Sequence, residues 1–431
     1  MTLVNKGKSS IDIQDINGII RYNRTILIPG NQESRDCLYK LTGKKSVVPL
    51  DNYFGVDKLP FNMTYEMMAR IVTKAAKTKS FAEASEMLNK LGYKKISTSL
   101  VDQVCEVVGQ ALINYQKERA NIIKMFISNG DKIGPKEIDI HSQIVLVPQR
   151  VLIMMVDGHT IYLRKYSTGT HDFDDGGKCG NDCRVGIAFK LSDTNIMPDD
   201  AGGEAIHIKH KDITALICPK SDFMYLFADL AIRNGANDCD LIVVVSDGAD
   251  WLHNMCDELF NSCLHIRDLW HVKECISEFS KALYSDNPDK AQEFCNHLCQ
   301  LMDEGKIDDF LKKLEPYREL SLTDNGTKLV NPYGYVNSRR DGMEYDIYKK
   351  LGLPVGSGAM ESTNKTFHRR MRTTGSLWTK SKANRMVMII ATVETGGEEE
   401  ILDTLLLMQD WLLPIKTMID AGEIHRKYNK K

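Results

Sequence analysis

Two apolar runs constrain the fold of this chain more than any other feature. They occupy residues 151–156 and 241–246, and each leads directly into an aspartate followed by glycine, at Asp157 and Asp247. The second run, LIVVVS, is typical of a central strand that is covered on both faces. Glycine after an acid lets the chain turn sharply and leaves the carboxylate uncovered. We therefore expect both acids to project from strand ends.

Composition narrows the class of protein. The 431 residues are 42% hydrophobic, which is enough for two or three domains with a sizeable core. The sequence has no uninterrupted apolar run of about 18 residues and no apolar segment at its start, so we expect a cytoplasmic protein without a membrane partner. The 11 cysteines are then expected to be reduced. The net charge of −2 argues against a generally basic surface, so any DNA-binding charge must be local.

The first part of the chain predicts two segments. Residues 1–60 mix short β-like runs with turn residues and indicate a small irregular or β-containing module. Residues 61–135 have helical periodicity, and a Ser or Thr N-cap precedes the helix after Gly92. This pattern is compatible with a DNA-binding helix-turn-helix, and equally with three packed helices that do not contact DNA. Both interpretations remain open here.

The segment 145–285 changes to an α/β pattern. Apolar and β-branched runs predict strands at Val151–Val156, Thr160–Arg164, Arg184–Lys190, 241–247 and Cys263–Ile266. Helices are predicted at Asp222–Asn234, Gly248–Phe260 and Trp270–Tyr284. The order of three strands, helix, strand, helix, strand and helix resembles that of an RNase H-like fold.

The rest of the chain is predicted to be helical. Residues 286–345 indicate a helical insertion. Residues 346–395 would return to the α/β core, with a helix from Gly358 to Thr373, and residues 396–431 would form a helical tail that ends in the basic HRKYNKK.

The two aspartates point to a metal site. A single Asp-Gly after a strand is more often a turn signal than a ligand. Two carboxylates at the ends of adjacent central strands are different, because they are costly to bury and repel each other unless a cation such as Mg²⁺ lies between them. The pair Asp157 and Asp247 therefore favours a divalent-metal site.

A third acid opens a basic segment. Glu361 follows a Gly-Ser-Gly turn at the start of a helix, where it could simply complement the helix dipole. Between Lys365 and Arg385, however, the sequence has seven Lys or Arg and no acid. A solvated helix face usually interleaves both signs, so this segment favours a phosphate backbone. The predicted DNA-binding residues are Lys365, His368, Arg369, Arg370, Arg372, Trp378, Lys380 and Lys382. Trp378 could stack on a base or only pack.

Asp268 and His271 form another constellation, shortly after Asp247 in the segment DLWHVKE. Their spacing would let them line the same cleft as auxiliary active-site residues. His271 could support the metal site, contact a phosphate or only cap local structure, and His159 is similarly ambiguous.

Four segments resemble motifs of the DDE-type transposases of bacterial insertion sequences, in the branch similar to Mutator-like elements. They are VDGHT, VVSDGADWL, IRDLWHVKE and PVGSGAMESTNKTFHRRMRTTGSLWTKSKANRMV, and together they span about residues 150–390. The resemblance implies an RNase H-like catalytic core with a helical insertion. It also implies that Asp157, Asp247 and Glu361 are a catalytic triad that binds two Mg²⁺ or Mn²⁺ ions.

The resemblance further implies DNA cleavage and strand transfer at the ends of an insertion sequence. The partners would be double-stranded DNA, as terminal repeats and as target, and further copies of the chain on paired ends. A structure-specific nuclease or resolvase would suit the same triad. A domesticated DNA-binding protein without catalytic activity is the other alternative.

Overall fold

The structure is a computed structural model. It describes residues 1–54, 59–92, 96–136, 150–164, 178–198, 204–324, 326–338, 340–373, 376 and 378–408. The described residues fall into two compact units, and neither unit is continuous in sequence. Unit 1 takes the described residues of Met1–Gln116, Leu163–Cys179 and Arg369–Lys431. Unit 2 takes those of Lys117–Tyr162 and Gly180–His368.

The secondary structure elements are numbered in chain order. The strands are β1 (Leu3–Asp15), β2 (Gly18–Pro29), β3 (Val151–Arg164), β4 (Lys178–Lys190), β5 (Thr194–Pro198), β6 (Glu204–Ile208), β7 (Asp212–Leu216), β8 (Leu241–Ser246), β9 (Leu264–Arg267), β10 (Thr323–Asp324) and β11 (Thr327–Lys328). The helices are α1 (Gln32–Thr42), α2 (Pro49–Phe54), α3 (Tyr65–Lys77), α4 (Phe81–Lys90), α5 (Thr98–Ser128), α6 (Lys220–Arg233), α7 (Asp250–Leu259), α8 (Leu269–Leu283), α9 (Pro288–Asp303), α10 (Ile307–Leu314), α11 (Pro332–Asn337), α12 (Tyr345–Lys350), α13 (Gly358–Met371) and α14 (Lys380–Leu407).

Unit 1 begins with an antiparallel hairpin of β1 and β2, followed by helices. The apolar spacing of α3 buries Met68, Ile71 and Val72, and α3 packs against α14. The predicted Ser or Thr N-cap of the helix after Gly92 is confirmed, because Ser97 Oγ accepts a hydrogen bond of 3.1 Å from the Leu100 amide. Whether these helices contact DNA stays a prediction.

Unit 2 has a mixed α/β architecture around a five-stranded sheet. The strand order is β7-β4-β3-β8-β9, with β3, β8 and β9 parallel and β7 antiparallel to β4. All six residues of β8 are buried, which confirms the prediction of a central strand covered on both faces. Burying each large apolar side chain contributes about 1.5–3 kcal/mol, so this strand is a rigid base for the residues that follow it.

The first half of the sheet differs from the prediction. The two strands predicted at 151–156 and 160–164 are one strand, β3, which runs through Asp157. Gly158 is not among the glycines with positive φ, so the Asp-Gly pair makes no turn here. Because two predicted strands merge into β3, one of the five strands of the sheet has no predicted counterpart, and that strand is β7. The hairpin of β5 and β6, which lies between β4 and β7 in the chain, was not predicted either.

Helices α9, α10 and α11 follow α8, in the segment 286–345 that the sequence predicts as a helical insertion, and α12 begins at its last residue. In unit 1, α14 is interrupted at Gly397, whose φ is 70°. The predicted tail beyond Met408, including HRKYNKK, lies outside the described residues. Among the helices of the described chain, none is both long and apolar enough to cross a membrane.

Candidate metal centre

Asp157 and Asp247 lie at the same level of neighbouring strands. The parallel pairing of β3 and β8 runs in register up to Met155 and Val245, and each acid is two residues further on. Parallel neighbours are about 4.8 Å apart, so the two carboxyl groups belong to one site. The metal-binding pair expected from the sequence is therefore brought together, although Asp157 lies within its strand and not at its end.

The electrostatics of Asp157 reflect this proximity. Burial raises the pKa of the Asp157 carboxyl, and the negative charge of Asp247 raises it further. Two hydrogen bonds oppose this shift: the Gly158 amide donates to Oδ1 at 2.7 Å, and Asn364 Nδ2 donates to Oδ2 at 2.8 Å. Two carboxylates that repel each other in a half-buried place are the arrangement that a divalent cation relieves.

The backbone that carries Asp247 is held from three sides. Asp247 Oδ1 accepts a hydrogen bond from the Ala249 amide at 3.0 Å, and the Tyr335 hydroxyl donates to the Asp247 carbonyl at 2.8 Å. Arg267 Nη2 donates to the Gly248 carbonyl at 3.1 Å. Gly248 has a φ of +81°, a conformation that favours glycine. These contacts fix the turn after β8.

Asp268 has a structural position. It directly follows the last registered pair of β8 and β9, Ser246 and Arg267, and its side chain is fully buried. Its carboxylate caps α8 by accepting from the Trp270 amide at 2.7 Å. It also accepts from the Ser357 amide at 3.1 Å and from the Ser357 hydroxyl. Asp268 therefore anchors the Gly-Ser-Gly turn that leads into α13, where the sequence predicted an auxiliary residue lining a cleft.

The two histidines have different surroundings. His271 is half-exposed, lies 3.4 Å from Glu274 and 4.0 Å from Asp268, and its positive charge when protonated lowers the pKa of Asp157. A role for His271 in the site stays a prediction. His159 is buried, and its ring packs against the rings of Phe367 and His368.

The third predicted acid lies on the helix that also carries Asn364. Glu361 is exposed in the first turn of α13, and Asn364, about one helical turn later, makes the contact with Asp157. Within the described part of the chain, no group of three or more His, Cys, Asp or Glu side chains is arranged to hold a metal ion. Two carboxylates nevertheless fit Mg²⁺, which is usually bound through one or two carboxylates, water and substrate phosphates.

Two of the predicted DNA-binding residues are buried in unit 1. Arg370 is 3% exposed, donates to the Ala75 carbonyl at 2.9 Å, and has its guanidinium 4.6 Å from the Phe81 ring centre and 4.8 Å from that of Trp378. Trp378 is 6% exposed and donates to the Met371 carbonyl. The prediction that these two side chains face DNA is corrected, because both are already enclosed by protein groups.

The basic segment has no acids within its own sequence, but acids from another helix pair with two of its side chains. Lys382 pairs with Asp102 at 2.6 Å, and Arg385 forms a buried pair with Glu106. Both acids lie on α5, and the four side chains belong to unit 1. The predicted basic residues that remain exposed are Lys365 in unit 2 and Arg369, Arg372 and Lys380 in unit 1, while His368 is half-buried.

Sequence reasoning missed Asn364, Arg267 and Tyr335. For Asn364 a signal existed, because it lies three residues after Glu361 on a predicted helix and so shares a face with it. No spacing or motif indicated that Arg267 and Tyr335 would support the Asp247 turn. No protein-family model matches this chain, and no curated protein matches it either.

Proposed function

We propose that this protein is a transposase that cleaves DNA at the ends of an insertion sequence and transfers the strands, with unit 2 as an RNase H-like core. The observation that carries this proposal is the level placement of Asp157 and Asp247 on adjacent parallel strands, with their charges acting on each other. The order of elements along unit 2 supports it: three sheet strands, helix, strand, helix, strand and helix, with the β5–β6 hairpin added.

Asp157 and Asp247 would hold Mg²⁺ or Mn²⁺, with Glu361 as the third acid that the motif resemblance implies. Bound ions of this kind lower the pKa of an attacking water or 3′-hydroxyl and stabilise the leaving oxygen of a phosphodiester. The protein's own residues prepare that site. Gly158 and Asn364 orient the Asp157 carboxylate through hydrogen bonds.

Other residues keep the rest of the site in place. Arg267 and Tyr335 hold the Asp247 turn through its carbonyl groups. Asp268 holds the start of the Glu361 helix through Ser357. A positive charge on His271 would offset part of the negative charge around Asp157.

Double-stranded DNA is the proposed partner, both as terminal repeats and as target, with several copies of the chain on paired ends. The exposed cations Lys365, Arg369, Arg372 and Lys380 are the proposed contacts with the phosphate backbone. They carry no sequence information by themselves, so recognition of the ends is assigned to other contacts.

The test is DNA cleavage by the purified protein. DNA that carries the sequences flanking the coding region is incubated with wild type, Asp247→Asn and the control Asp309→Asn, in Mg²⁺, in Mn²⁺ and in EDTA. We expect metal-dependent nicking at the ends by wild type and by the control, whose substituted side chain is exposed on α10. Cleavage that persists in Asp247→Asn would reject the metal centre.

Strand transfer separates the proposal from its alternatives. A pre-cut end with a free 3′-hydroxyl is offered together with a plasmid, and joined products are expected. Hydrolysis without joining would indicate a structure-specific nuclease or resolvase. Specific binding to the ends without cleavage in either metal would indicate a domesticated DNA-binding protein.

A further inference from the structure

The side chain of Asn364 has an unusual environment. It lies on α13 and is 8% exposed. Its Nδ2 donates to Asp157 Oδ2 at 2.8 Å. Its Oδ1 is buried and has no hydrogen-bond partner among the residues that the structure describes. A buried acceptor oxygen therefore lies beside the pair of carboxylates.

An unsatisfied buried acceptor is unfavourable, because the oxygen loses its hydrogen bonds to water and gains none in return. The position of this amide next to Asp157 indicates which kind of group could satisfy the oxygen. Asn364 contacts one carboxylate of the pair directly, in a place where burial and the charge of Asp247 raise the pKa of Asp157. The oxygens available there are those of the two carboxylates and that of this amide. The group that such a set of oxygens satisfies is a hard divalent cation, for which Asp and Asn oxygens are common ligands.

We infer that Asn364 Oδ1 is a ligand of the cation held by Asp157 and Asp247, an assignment that rests on the proposed metal centre. The amide can serve both states of the site. Rotating it by 180° exchanges Oδ1 and Nδ2 within nearly the same volume. Asn364 thus donates to Asp157 in the free protein and presents its oxygen once a cation neutralises the carboxylates. The helix α13 then contributes a buried ligand in addition to the exposed acid Glu361.

Binding of Mn²⁺ to the full-length protein without DNA tests this assignment. The unbound ion is quantified by electron paramagnetic resonance, so the readout does not depend on catalysis. Asn364→Leu keeps the approximate volume and removes the oxygen, and we expect it to weaken Mn²⁺ binding about tenfold or more, the loss typical of a disrupted metal site. Asn364→Asp keeps an oxygen and adds charge, and we expect it to bind Mn²⁺ at least as tightly as wild type.

Control variants separate a loss of the ligand from a general effect of the substitution. Asn296→Leu makes the same change at an exposed asparagine of α9 and is expected to bind Mn²⁺ like wild type. Unchanged binding in Asn364→Leu would overturn the assignment, as would binding by Asn364→Asp as weak as that by Asn364→Leu. If Asp247→Asn weakens binding but Asn364→Leu does not, only the role of Asn364 fails. If Asp247→Asn also has no effect, the proposed metal centre fails together with it.

Discussion

Asp157 and Asp247 stand level with each other on neighbouring parallel strands, two residues beyond the registered pair Met155 and Val245. The strand that leads into Asp247 is buried along its whole length, which fixes the backbone from which Asp247 projects. The raised pKa of Asp157 follows from this placement, with burial as the larger cause and the Asp247 charge as the smaller one. The two carboxylates therefore repel each other in this placement.

Removing one of these charges is expected to leave the metal-free protein as stable as before, or more stable. In Asp247→Asn the repulsion on Asp157 disappears, so the melting temperature in EDTA should equal or exceed that of wild type. Saturating Mn²⁺ should raise the melting temperature of wild type, since a ligand at about 100 times its Kd stabilises by about 2.7 kcal/mol. The variant should lose most of this gain. A wild-type melting temperature that does not respond to Mn²⁺ would contradict this prediction.

Gly248 is expected to tolerate no side chain. Its φ is +81°, and a Cβ there would lie 2.2 Å from Arg267 Nε, which is part of the support of the Asp247 turn. Gly235 is a matched control in the same unit, with a φ of +84° and nothing within 4 Å of a Cβ. Gly235→Ala should cost about 1–2 kcal/mol from backbone strain alone. Gly248→Ala should cost clearly more in urea unfolding, and equal losses would show that Arg267 yields without cost.

The adjacent residues Arg369 and Arg370 are expected to behave in opposite ways. Arg370 is buried between aromatic rings, so Arg370→Ala should destabilise the protein by about 2–4 kcal/mol through lost packing and unsatisfied carbonyls. Arg369→Ala should leave stability within about 0.5 kcal/mol, because its side chain is exposed. It should instead weaken DNA binding and reduce the salt slope by about one. A salt slope unchanged in Arg369→Ala would mean that this side chain is only solvated.

Asp268 is expected to matter for folding as well as for activity. Asp268→Ala removes the cap of α8 and leaves the Ser357 amide and hydroxyl without their acceptor, so it should cost about 2–4 kcal/mol in chemical denaturation. Ser357→Ala removes only the hydroxyl contact and should cost less. Asp289→Ala, in the exposed first turn of α9, serves as the control for loss of a charge. A cost for Asp268→Ala no larger than that of the control would show that the cap is dispensable.

The sequence by itself determined the local elements and the residues that bear charge. Periodicity identified α3, and the unbroken apolar run identified β8 as a central strand. Both signals are local, because the buried positions of a helix or a strand recur at short, regular intervals along the chain. The same run placed Asp247 at the edge of the sheet. The pattern failed where it depended on one dipeptide, since Asp157 and Gly158 stay extended within β3.

Only the tertiary structure decided how the side chains pair. Asn364 meets Asp157 across 207 residues of sequence, and Arg385 meets Glu106 across 279. The segment without acids therefore looked like a continuous basic surface, although α5 neutralises part of it and aromatic rings enclose Arg370. Charge pairing and burial are properties of neighbours in space, and neighbours from distant segments leave no periodic trace in a single sequence.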